Sequence, residues 1–91
     1  MENIGRILLK GIYQESWIKI EYENKKDEIT HYMIGIKNID PFNKKITCDS
    51  FNITYSNDVD ERKIFFDSIL SASICDHTYH KTPQELLDKL V

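Results

Sequence analysis

Three glycines, two prolines, two cysteines and a single alanine are all that these 91 residues contain of those types. Each scarcity excludes something. Gly5, Gly11 and Gly35 are too dispersed to build a phosphate-cradling loop or the glycine elbow of a nucleophile. Cys48 and Cys75 lie far apart and in no CxxC, so no disulfide framework is visible. They could form one bridge, but two free thiols in a reducing cytosol is the expectation. A basic surplus is also missing, the net charge being −3. That disfavours a dedicated non-specific DNA binder and leaves room for a local basic patch. No apolar run approaches membrane-spanning length. The first thirteen residues carry Glu2, Arg6 and Lys10 inside their apolar pattern, unlike a signal peptide. No repeat or low-complexity stretch appears. A soluble, cytoplasmic, single-domain chain is expected.

What is present points to strands. Fourteen isoleucines stand against the lone Ala72, and β-branched side chains suit a pleated surface. Before the strands, Ile4, Ile7, Leu8 and Ile12 fall at helical spacing, with Asn3 placed to cap and Gly5 and Gly11 as weak points. "SWIKIEYEN" then alternates, Ile18, Ile20 and Tyr22 facing one way. "ENKKDE" is a charged loop. "ITHYMIGIKNI" sets Tyr32, Ile34 and Ile36 on one face, and "DPFNKK" makes a turn in which Asn43 suits left-handed geometry. "KITCDSFNI" turns Ile46, Cys48 and Ser50 one way, and "TYSNDVDE" is a polar loop. "RKIFF" points Ile64 and Phe66 inward and Phe65 outward. "ILSASICD" puts Ala72 and Ile74 on one face and Cys75 on the other.

Thr82-Pro83-Gln84-Glu85 is a capping box with proline at the first helical position. Thr82 and Glu85 would start a helix whose apolar stripe is Leu86, Leu87, Leu90 and Val91. The chain stops inside that stripe, so these residues are expected to be the front part of a longer protein. The predicted architecture is mainly β: a small antiparallel barrel of about five strands with flanking N- and C-terminal helices. Closure would remove exposed strand edges.

With the strands placed, residues 14–76 resemble the WYL domain, a Sm-like or SH3-like small barrel of bacterial regulators. "WIKIEYENKKDEITHYMIGIKNID" looks like its opening hairpin, and "RKIFFDSILSASI" looks like its closing segment. Arg62 matches the family's first arginine there, and Asp67 and Ile69 match two of its Asp-Arg-Ile triplet. Ser68 stands where the triplet has arginine, and Ile46-Thr47-Cys48 replaces the Trp-Tyr-Leu signature. The resemblance implies a non-catalytic regulatory module that binds single-stranded nucleic acid or a nucleotide-like ligand, attached to a nucleic-acid-processing enzyme such as a helicase. The acidic balance and missing signature favour the alternative, a docking domain for other proteins or for the rest of its own chain.

The basic pairs are Lys25-Lys26, Lys44-Lys45 and Arg62-Lys63, each beside acidic residues. Mixed charge of that kind is ordinarily solubilising. As a binding surface, Lys44, Lys45, Arg62 and Lys63 would meet phosphates, and Tyr32, Phe51, Tyr55 or Phe65 would stack on bases. Phe65 is the best placed of these. Asp67 is expected to cap the turn at Ser68-Ile69. Trp17 lies opposite Ile18 and Ile20 in the alternation; it could cover the barrel's open side against the N-terminal helix or anchor a partner, and packing is the expected role. "CDHTYH" offers Cys75, His77 and His80 to a metal, with Cys48 as a further ligand, but at no common zinc spacing. Cys75 beside His77 lacks an orienting group for nucleophilic catalysis. No cofactor, metal or enzymatic activity is therefore expected of this domain.

Overall fold

The computed structural model describes residues 3–53 and 59–79. The polar loop around Tyr55, His80 and the capping box with Thr82 and Glu85 lie outside the described residues. Helix α1 (Ile4–Tyr13) opens the fold, with the Asn3 side chain accepting from the Arg6 amide at 3.2 Å as expected. Five strands follow: β1 (Ser16–Glu23), β2 (Ile29–Asp40), β3 (Lys45–Asn52), β4 (Asp60–Phe65) and β5 (Ile69–Thr78). A single 3₁₀ turn, Phe66–Ser68, joins the last two.

All pairings are antiparallel, in the order β4-β3-β2-β1-β5. Four strands form a meander, and β5 returns to the far side of β1. Five flat strands would set the outer two roughly 19 Å apart. Three turn residues between Phe65 and Ile69 reach only about 14 Å. The sheet must therefore curl. It does not close, because β4 and β5 make no ladder with each other among the described residues. In place of the expected barrel, the described residues form a mainly β, five-stranded antiparallel sheet with one helix.

The alternating faces fall as their spacing predicts, except that a register shift in β5 brings both Ile69 and Ala72, three residues apart, onto the core face. Ile18 and Ile20 of β1, Ile34 and Ile36 of β2, Ile46 and Cys48 of β3, Ile64 of β4, and Ile69 and Ala72 of β5 form one core with Leu8 and Ile12 of α1. Phe66, expected at a strand end, lies in the 3₁₀ turn and packs partly buried on this core. Trp17 differs more. The helix covers the isoleucine face, and Trp17 stands on the opposite face, edge-on to Phe51 and Tyr79 at 5.4 and 4.9 Å between ring centroids. Strand period two forces this, since Trp17 neighbours the fully buried Ile18.

The two helical glycines have unlike surroundings. A Cβ on Gly11 would sit 2.5 Å from Ile18 Cδ1, so Gly11 is where α1 seats against β1. A Cβ on Gly5 would come no nearer than 3.4 Å to any neighbour. Gly5→Ala is expected to raise stability by up to about 1 kcal/mol through helix propensity. Gly11→Ala should lower it by about 1 kcal/mol, overpacking outweighing the same gain. Urea unfolding of the two variants checks this, and equal shifts would contradict it.

Candidate functional site

The turn between β2 and β3 is built on Asp40. Its Oδ1 accepts from the Phe42 and Asn43 amides at 3.1 and 3.3 Å, and its Oδ2 accepts from Asn43 Nδ2 at 2.8 Å. The Asn43 side chain, with these amides, holds the carboxyl below its ordinary range. Left-handed geometry falls on Lys44 (φ 53°), not Asn43, because Asn43 is held by its bond to Asp40. Lys44 turns the chain back, and its carbonyl accepts from the Phe66 amide at 2.8 Å. That bond ties the β2–β3 turn to the 3₁₀ turn.

Between these two turns and α1 lies a cleft of about 370 Å³. Leu8, Leu9, Ile39, Pro41, Ile46 and Phe66 make it largely apolar, and Gly5 leaves it open on the helix side. Its polar rim is Asp40, Lys44, Lys45 and Asp67. Lys44 Nζ stands 3.5 Å from Asp67 Oδ2, both well exposed. Lys45 Nζ lies 5.4 Å from the centre of the Phe65 ring, opposite which it sits in the β3–β4 register. Phe42, at the tip of the turn, is 96% exposed, an unusual state for so large an apolar ring.

The candidate residues thus divide. Lys44, Lys45, Phe65 and Asp67 gather at this end of the sheet. Lys63 follows on the same face of β4 as Phe65, opposite Thr47. Arg62 takes the other face, its guanidinium 5.3 Å from the Tyr32 ring centre. Asp67 does not cap the turn. The Ile69 amide bonds to the Phe66 carbonyl instead, and the Asp67 carboxylate faces Lys44. Lys25 and Lys26 lie in the β1–β2 loop at the opposite end of β2, where Asn24 Oδ1 gathers the Lys26 and Glu28 amides. Phe42 was not singled out by the sequence reading. Its signal was visible: an aromatic residue directly after Pro41, inside a polar turn with no alternation to bury it.

The cysteines are separated by the sheet. Cys48 is buried in the isoleucine core, and burial pushes its thiol up to about 12. Cys75 is on the far face, its thiol directed at Met33 Sδ at 3.5 Å. Both are free. Among the described residues no group of three potential ligands is placed to hold a metal. A thiol reagent applied to native protein should modify Cys75 and spare Cys48, with both reacting in denaturant. Native labelling of Cys48 would mean that the core opens.

Among the described residues no helix is long and apolar enough to cross a membrane. No protein-family model matches the chain, and no curated protein or solved structure matches it either.

Proposed function

We propose that the chain is a non-catalytic accessory module that binds single-stranded nucleic acid or a nucleotide-like ligand in the cleft between α1 and the two turns. The observation that carries this reading is the pairing of an apolar cleft with Lys44 and Lys45 on its rim, in a turn whose tip bears the bare Phe42 ring. A base enters the apolar space or stacks on Phe42, and the lysines meet its phosphate. The order of elements supports a WYL-like, Sm-like or SH3-like barrel: a helix, a four-strand meander, a 3₁₀ turn and a fifth strand beside the first. As such a module it would serve a larger nucleic-acid-processing protein.

Titration of labelled single-stranded DNA and RNA at low salt tests the reading. Binding should weaken as salt rises, since phosphate contacts release counterions. Phe42→Ala should weaken it about tenfold, the order expected for one lost stacking partner. Lys45→Ala should weaken it and flatten the salt dependence. No binding at low salt would remove the nucleic-acid reading. The apolar lining favours a second reading, docking of a segment from another protein or from the rest of the same chain. In that case Leu9 and Phe42 substitutions should disrupt association while Lys45→Ala leaves it intact.

A further inference from the structure

A second built site lies on the far face of the sheet, away from the cleft. The Tyr79 ring covers the backbone of Gly35, where three ring atoms occupy the space a Cβ would need. Trp17 walls the ring edge-on, at 4.9 Å and 72°. The Tyr79 hydroxyl donates to Asp49 Oδ2 at 2.7 Å, and Lys37 Nζ stands 3.8 Å from the other carboxylate oxygen. Lys37 also faces Glu61 at 3.7 Å. Both Tyr79 and Asp49 are buried, at 3% and 7% exposure. The Tyr79 amide donates to the Glu15 carbonyl at 2.7 Å, and Glu15 itself has φ 51°.

We infer that Gly35, Trp17, Asp49 and Lys37 form a receptor slot for a neutral phenolic ring, which this chain fills with its own Tyr79. Each part selects for that chemistry. The side-chain-free floor admits a flat ring and nothing thicker. The edge-on tryptophan favours an aromatic over an aliphatic occupant. The buried carboxylate demands a donor at the ring's far end, so a ring without a hydroxyl leaves it short of a partner. A phenolate or phosphorylated ring would set negative charge against Asp49 and is rejected. Burial and the Asp49 carboxylate both push the Tyr79 hydroxyl well above its ordinary value, in keeping with a neutral occupant.

The test empties the slot and refills it. In the full chain, Tyr79→Ala should unfold at a lower temperature, followed through Trp17, the chain's single tryptophan. Millimolar p-cresol should restore several degrees to this variant and little to the parent protein. Toluene should restore less than p-cresol, and adding Asp49→Ala should abolish the difference. Equal rescue by the two compounds, or an equal p-cresol shift in the parent, would overturn the assignment. If Tyr79→Ala does not fold, Tyr79→Phe keeps the ring and removes only the hydroxyl. Its unfolding equilibrium constant should rise about tenfold, and most of that rise should vanish when Asp49 is already alanine. A rise that is independent of Asp49 would sink the inference.

Discussion

Alanine at position 35 is expected to destabilise the protein by about 3 kcal/mol, although alanine is intrinsically better than glycine in a strand by about 0.5–1 kcal/mol. Gly35 lies in the middle of β2, and its buried backbone is the floor on which the Tyr79 ring rests. A ring has no flexible end that can give way. A Cβ must lift it, which strains the packing by about 1–3 kcal/mol. Lifting it also draws the hydroxyl from Asp49, and a buried hydrogen bond to a charged group contributes about 1.5–3 kcal/mol. The two losses together outweigh the propensity gain. Urea denaturation of Gly35→Ala, Tyr79→Ala and the double variant measures this directly. With Tyr79 already removed, Gly35→Ala should be close to neutral. A full-sized effect in both backgrounds would mean that the ring is not the obstacle.

The adjacent residue tests the opposite face. Ile34→Ala is expected to cost about 4 kcal/mol, in the upper part of the range for truncating a fully buried isoleucine. Ile34 has no exposed surface, sits on the central strand and is paired with Ile18 across β1 and with Ser50 across β3. Strands flanked on both sides cannot collapse readily into the space left behind. The denaturation midpoint should fall with little change in slope. A loss below about 2 kcal/mol would show that the curled sheet relaxes around the gap. Two consecutive residues would then report on two separate packing layers, one apolar and one polar-anchored.

Much of the fold was legible because period two is a strict rule. Ile18, Ile20, Ile34, Ile36, Ile46 and Ile64 fall at every second position within their strands, and each faces the core. Asn3 before an amphipathic run was enough to place the helix start. The curl of the sheet was less legible, since it depends on how few residues separate β4 from β5 once their positions in the sheet are known. Lys44, Lys45 and Phe65 were recognisable as candidates by residue type. Their gathering around a cleft was not, because the cleft exists only where α1 and the 3₁₀ turn meet the β2–β3 turn. Tyr79 was hidden for a different reason. "CDHTYH" has no pattern that buries a tyrosine, and its partners Gly35 and Asp49 are 44 and 30 residues away. The glycine was the available sign, since an isolated glycine inside an isoleucine-rich strand often marks a close approach by another part of the structure.

The fastening of Tyr79 to Glu15, and of β5 to the outer edge of β1, has a consequence for how the chain is made. Synthesis delivers α1 and the meander first, with pairings between neighbours in sequence. Until residue 79 has emerged, Gly35 stays uncovered, Asp49 lacks its hydroxyl, and the edge of β1 offers unpaired amides and carbonyls. At about 5–20 residues per second, the interval between completing β4 and delivering Tyr79 is on the order of a second. For that time the nascent chain carries a half-made sheet with an adhesive edge. In that interval the open edge of β1 is where a neighbouring copy can mispair.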